Sequence, residues 1–397
     1  MDALKKIIKY IITFLVIVVF LYNAFIITFS QLFINFFFSK NPIKRQESLN
    51  LTKKRFILLL VTIYSVVAHS KIRLTIDTTT INPNAIALDP KTKLIKTHLA
   101  STSVIMSNHQ IYTDWVFLWW ITYTSNLAGS VYIMLKKSLE YIPILGYGMR
   151  NYRFIFMSRK WNLDKVNLHN HLTELNTDAL GCGRLSGNLP KRVSIEGEFD
   201  WGQNTVSNLN SIHWPYSLIL FPEGTNLSEH TRSKSAQFAK KIDLEPYENV
   251  LVPHTTGIRE VLLKLRQSCE YVYDSTIGYS AVKKEEYGQD VYKLFDIFLK
   301  GKAPKIVDIH MRAFKLSDIP IDDEEEFNDW IFNIWREKDA FMNYYYQNGD
   351  FSTLPNTKSI TSICGVTTYE YIAILFLPVT TTVLLFGVIL KKLCPFF

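Results

Sequence analysis

Cysteine is scarce and scattered in this chain. Its 397 residues include four, Cys182, Cys269, Cys364 and Cys394, and no two form a C-x-x-C pair. That argues against a disulfide framework or a zinc site and points to a reducing compartment for the soluble part. There is no internal repeat and no low-complexity tract. No G-x-S-x-G string occurs, so the nucleophile elbow needed by a lipid-cleaving serine hydrolase is missing. The spacing Gly181-x-Gly183-x-x-x-Gly187 misses the dinucleotide fingerprint by one residue and lacks a strand–turn–helix context. Acidic residues are also in deficit, leaving a formal net charge of +8. A basic balance fits nucleic acid, anionic lipid or phosphorylated small molecules. With 48% apolar residues and long apolar runs, lipid is favoured over nucleic acid.

Apolar runs are what the chain has in excess. Ile7 to Phe38 is almost unbroken. A perpendicular span needs about 20 residues, so this run suits one tilted span followed by an interfacial helix, or a tight helical pair. It is too long for the core of a signal peptide, and no small-x-small cleavage site follows. Lys5, Lys6 and Lys9 precede it and Lys40, Lys44 and Arg45 follow it, so flanking charge does not orient it. Phe56 to Ala68 is too short to span and reads as a re-entrant or interfacial helix, or as a buried core helix. Tyr369 to Leu390, followed by Lys391 and Lys392, reads as a second membrane segment that Pro378 can kink.

Between these runs, strand-like and helix-like segments alternate. Ser103–Met106, Val131–Leu135, Phe154–Met157, Leu218–Phe221 and Ile306–His310 read as strands. Asp164 to Leu180 and Asp322 to Tyr346 read as helices, and Gly181 to Trp214 as a long polar loop. The alternation implies an α/β domain.

Two strands end in motifs that carry chemistry. After the first comes Asn108-His109-Gln110-Ile111-Tyr112-Thr113-Asp114. An imidazole and a carboxylate five residues apart can meet across a loop that opens a helix. The carboxylate then fixes the tautomer, and the other ring nitrogen takes a proton from a hydroxyl. Alone, His-x4-Asp is a common coincidence. After another strand comes Phe221-Pro222-Glu223-Gly224-Thr225, a far rarer string, in which glycine permits close approach of an anion to the backbone.

Together these motifs resemble the lysophospholipid (glycerolipid) acyltransferase superfamily across nearly the whole soluble region. Its first block is N-H-x4-D and its third is F-P-E-G-T. Lys136-x-x-Leu139-x-x-Ile142-Pro143-x-x-Gly146 looks like the intervening lysine–leucine–proline–glycine stretch, and Phe154 to Arg159 like the second block. Val252-Pro253-His254-Thr255-Thr256-Gly257 is the loosest match, with His254 where relatives often have arginine. Trp115, the Arg159-Lys160-Trp161 string, Thr255-Thr256-Gly257 and the long insertion between the second and third blocks resemble the subgroup acting on lysocardiolipin, lysophosphatidylglycerol and lysophosphatidylinositol.

The resemblance implies a mixed central sheet flanked by helices, plus N- and C-terminal membrane helices. The expected division is a membrane anchor over 1–70, an acyltransferase domain over 92–350 and a C-terminal membrane segment over 365–392. His109 is the expected general base and Asp114 its orienting partner. Arg159, Glu223, Gly224, Thr225 and Lys136 are the expected acceptor-binding residues, supported by Asn108, Pro222 and Pro253. Beside a phosphate, Glu223 makes sense only by binding a hydroxyl or positioning a basic neighbour. Acyl-CoA is a co-substrate; no metal or other cofactor is implied, and an anionic lysophospholipid and the bilayer are the remaining partners. The expected place is the endoplasmic reticulum membrane, multiply anchored, with the domain facing the cytosol. The competing reading of another class is a catalytically inactive lipid-binding scaffold, and intact His109 and Asp114 argue against it.

Overall fold

The structure is a computed structural model, and it describes residues 2–158, 160–201, 213–376 and 380. The chain enters as one long helix, α1 (Asp2–Phe37), turns, and returns as α2 (Pro42–Val67). The apolar run from Ile7 therefore makes neither a helical pair nor a span with a separate interfacial helix. No proline or glycine occurs before Pro42, so nothing breaks it. Pro42 then starts α2, and the Asn41 side chain caps it by accepting from the Lys44 amide at 2.9 Å.

The two helices bury different amounts of similar chemistry. Tyr10–Phe37 is long and apolar enough to cross a membrane by length and composition, and only 22% of an 18-residue apolar stretch within it is buried. In α2, Phe56 to Tyr64 are all buried, so this half is a core helix.

β1 (Lys71–Asp77) follows, then a small ribbon of β2 (Ile86–Leu88) and β3 (Ile95–Thr97). β4 (Thr102–Ser107) leads into α3 (Asp114–Thr124); β5 (Val131–Lys136) leads into α4 (Leu145–Asn151); β6 (Ile155–Met157) leads into α5 (Trp161–Ala179). The polar stretch after Gly181 holds a second ribbon, β7 (Lys191–Arg192) with β8 (Phe199–Asp200). β9 (Tyr216–Leu220) precedes α6 (Glu229–Lys241) and α7 (Thr255–Leu265). β10 (Tyr271–Tyr279) is followed by short α8 (Gly288–Val291) and α9 (Leu294–Lys300), and β11 (Ile306–Lys315) by α10 (Glu324–Asn348). β12 (Thr357–Ile363) and α11 (Thr368–Leu375) complete the described chain. Most of the membrane segment expected over Tyr369–Leu390 lies outside the described residues.

Eight strands form one mixed sheet in the order β12-β1-β11-β10-β4-β9-β5-β6. β10, β4, β9, β5 and β6 run parallel, so their carboxyl ends share one edge. β1 and β12 lie outside the 92–350 span read from sequence, yet both pair within this sheet. Every residue of β4 and of β9 is buried, as expected of central parallel strands covered on both faces. Alternation along them sorts two cores. Ile105 and Ile219 pack with α2 and α3, while Val104, Met106, Leu218 and Leu220 pack with α5, α7 and α10. The result is a helix–sheet–helix sandwich whose carboxyl edge carries the motifs.

Candidate active site

The site begins with how β4 ends. Asn108 is fully buried, and its side-chain amide pairs with β10: Nδ2 donates to the Ile277 carbonyl at 3.0 Å and Oδ1 accepts from the Ile277 amide at 2.8 Å. This pair extends the β4–β10 ladder by one side chain and fixes where the next residue stands.

The next residue is His109. Its Nδ1 lies 2.8 Å from Asp114 Oδ2. Asp114 opens α3, has 0% exposure, and folds back over the loop. The same Oδ2 accepts from the amides of Gln110 at 2.7 Å and Ile111 at 3.1 Å, and Oδ1 accepts from the Tyr279 hydroxyl. With Asp114 accepting, Nδ1 carries the imidazole proton and Nε2 is the basic nitrogen. Burial, and then the Asp114 charge, push the Tyr279 hydroxyl well above its ordinary range, so it stays a donor. Tyr279 ends β10, and no spacing in the sequence links it to the motif.

The third block meets the first. The His109 ring stacks on Phe221 with centroids 4.2 Å apart, and the Leu227 amide donates to the His109 carbonyl at 2.9 Å. Gly224 turns the chain with φ +67°, where an L side chain is strained; an added Cβ would also approach the His254 ring to 3.1 Å. The His254 amide donates to the Pro222 carbonyl at 2.9 Å, and buried Pro253 precedes it, so the loosest motif is seated on the third block.

Glu223 does not face an open surface. It is 3% exposed, with its carboxyl near the amides of His109 and Leu251 and the indole of Trp335; neither oxygen reaches full hydrogen-bond geometry. Burial raises it to about 8, against the pull of Lys338 and those N–H groups. Lys338, on α10, is the basic neighbour. It is fully buried and bonds Asp274 Oδ1 at 2.6 Å, the Ser275 carbonyl at 2.7 Å and Thr276 Oγ1 at 3.2 Å. Asp274 also binds Arg312 at 2.9 Å. Burial pushes Asp274 up, but the two cations outweigh it and hold it below the usual carboxylate range.

Of the remaining expected residues, those the structure describes lie along the same edge. Lys136 ends β5 and is exposed; Gly224 and Thr225 are half-buried on their turn. Arg159 lies outside the described residues, though its neighbours Ser158 and Lys160 donate backbone amides to Asp164 at 2.9 and 3.3 Å. Among the described residues no cluster of metal-ligating side chains occurs.

Comparison with known proteins decides what this edge belongs to. The acyltransferase family model matches residues 91–280, and the acyltransferase C-terminus model matches 297–369. The chain belongs to the acyltransferase family. It is 50% identical over 379 residues to 2-acyl-1-lysophosphatidylinositol acyltransferase of Saccharomyces cerevisiae, covering 95% of each chain. It is 31% identical to lysophosphatidylinositol acyltransferase 10 of Caenorhabditis elegans, over 62% of this chain and 53% of that one. It is 29% identical to lysocardiolipin acyltransferase 1 of Gallus gallus, over 62% of this chain and 54% of that one. No solved structure matches. The acyltransferase motifs thus sit in an acyltransferase, with the residues 108–114 and 221–225 brought together at one sheet edge.

Proposed function

We propose that this acyltransferase moves a fatty acyl group from acyl-CoA to the free hydroxyl of an anionic lysophospholipid, with lysophosphatidylinositol preferred. The observation that carries the mechanism is the 2.8 Å contact of His109 Nδ1 with buried Asp114. It holds the imidazole in the tautomer whose Nε2 can take a proton. The acceptor oxygen attacks the thioester carbonyl as His109 removes its proton, the carbon–sulfur bond breaks, and the proton passes to the departing thiolate. Asp114 stabilises the imidazolium formed on the way. A thioester is already activated, so no covalent acyl-enzyme is required.

Lys136 and Arg159 supply cations for the acceptor phosphate, and the guanidinium fork suits it. Gly224 and Thr225 present backbone and hydroxyl beside His109. The named activity of the yeast relative supports the inositol head group. α1 anchors the enzyme in the membrane, at the endoplasmic reticulum, with the domain on the cytosolic side where acyl-CoA is made. Glycan attachment at Asn226, which begins a sequon directly after the third block, would reverse that orientation.

The test offers purified protein one acyl-CoA and four acceptors at equal surface density: lysophosphatidylinositol, lysophosphatidylglycerol, lysophosphatidate and lysophosphatidylcholine. Free thiol and product mass are read together. Lysophosphatidylinositol is expected to react fastest; faster use of lysophosphatidate or lysophosphatidylcholine removes the head-group assignment, and absence of thiol release removes acyl-CoA as donor.

A further inference from the structure

Beyond the His109 loop the carboxyl edge holds a cavity of about 600 Å³ between the end of β10, the segment after it and the last turns of α10. Its size falls within the range of small-molecule sites. It adjoins the catalytic loop on two sides. Tyr279 lines the cavity and sends its hydroxyl to Asp114. The segment beyond the cavity packs Gly288 so closely on the loop that a Cβ there would meet Ile111 at 2.9 Å and the Gln110 carbonyl at 3.2 Å.

The lining has a consistent chemistry. Lys283 and Lys284 stand exposed on one wall, and Asn343 and Tyr346 stand half-buried on the other. Behind them Tyr345 is buried flat on β10, in space that only Gly278 leaves: a Cβ at that position would meet the ring at 2.8 Å. Arg232 on α6 acts electrostatically on both Tyr346 and Glu248. Acidic groups are present too. Glu285 lines the cavity, and Glu248 bonds Lys284 at 2.7 Å. That bridge joins side chains 43% and 57% exposed, so an incoming phosphate competes for the ammonium at little cost.

We infer that this cavity receives the phosphoadenosine end of acyl-CoA, with Lys283 and Lys284 meeting phosphate and Tyr346 and Asn343 meeting the base. The inference rests on the acyl-CoA reading of the reaction above. Acyl-CoA separates its nucleotide from its reactive sulfur by a long flexible arm, so the nucleotide site must adjoin His109 without occupying it. A cavity that shares Tyr279 with the catalytic relay meets that requirement. Amide and aromatic groups suit a purine, and paired lysines suit a nucleotide carrying several phosphates.

The experiment uses the full-length protein and a Lys283→Ala/Lys284→Ala variant. KM for acyl-CoA is expected to rise about tenfold, the loss that follows from removing two charge-assisted phosphate contacts. KM for the lysophospholipid and kcat are expected to move less than about twofold, the signature of lost uniform binding of one substrate. With an acyl thioester of N-acetylcysteamine, which lacks the nucleotide, the variant-to-wild-type difference should vanish. Calorimetric titration with adenosine 3′,5′-bisphosphate should show binding to the wild type that the variant loses. A rise confined to the lysophospholipid KM would assign these lysines to the lipid head group. An equal loss with the truncated thioester, or unchanged bisphosphate binding in the variant, would also overturn the site. If the wild type releases no thiol from acyl-CoA, the reading of the reaction fails, and the bisphosphate titration still judges the cavity.

Discussion

Two buried aspartates, Asp114 at the start of α3 and Asp274 within β10, are managed in opposite ways. Both are almost wholly shielded from solvent. Asp274 is met by two basic side chains, Lys338 and Arg312. Asp114 is met by two backbone amides, a tyrosine hydroxyl and one imidazole. The first arrangement sets two basic side chains against the charge and ties β10, β11 and α10 together. The second satisfies the charge through groups that donate without being cations, except that His109 can become one. Asp274 is thus met by basic side chains, and Asp114, the aspartate assigned to the mechanism proposed above, by neutral donors and an imidazole.

The largest expected effect falls on the chemical side of this contrast. His109→Ala should lower turnover by about 10²–10⁴-fold, the range for a positioned general base, with the denaturation midpoint unchanged. Retention of more than about a tenth of the activity would show that His109 is not the base. On the structural side, Lys338→Met should leave buried Asp274 short of one of its two basic partners and cost about 3–5 kcal/mol of stability, read by urea titration. Asp274→Asn combined with Lys338→Met should recover part of that loss, because the Lys338 pair is removed rather than broken while Arg312 keeps Glu337. A double variant as unstable as the single one would contradict the pairing.

The smallest effect sharpens the contrast through Glu223, which lies near both His109 and Lys338. Burial raises its carboxyl from an ordinary 4.5 to about 8, so the folded chain holds this proton more tightly than the unfolded chain. The native state is then favoured at low pH, and that contribution is lost as pH rises from 4.5 through about 8. Glu223→Gln should flatten this part of the stability–pH curve, so that the variant gains on the wild type toward pH 8. Parallel curves for the two proteins would place the titrating group elsewhere.

Much of this arrangement was legible in the sequence, and the gaps have physical causes. β4, β5, β6, β9 and the first half of β11 were marked by short β-prone runs, and His109 and Asp114 by a local motif whose residues touch directly. Tyr279 was not legible, because it reaches Asp114 across 165 positions and only sheet pairing brings it there. Lys338 lies on the helix read over Asp322–Tyr346 and points into the sheet; a charge pattern does not say which face of a helix is covered. β1 and β12 escaped because polar residues interrupt their apolar ones, and their places depend on β11 and on each other. The single helix α1 follows from missing breakers, which a count of apolar residues does not weigh.

That helix carries one more consequence. On its covered side Gln31 donates to Thr52 Oγ1 at 3.2 Å and accepts from Asn151 at 3.3 Å. Asn35 donates to Tyr147 at 3.0 Å and to Asn151 at 2.9 Å, and accepts from Arg45 at 2.7 Å. These bonds run to α2 and α4, and sliding α1 by one helical turn, about 5.4 Å, would break all of them. α1 is thus keyed to the body that carries His109 like a shaft to a wheel. In the membrane-anchored enzyme proposed above, a bilayer thinner or thicker than α1 is accommodated by tilting the entire molecule, and the height of His109 above the lipid becomes a function of membrane thickness.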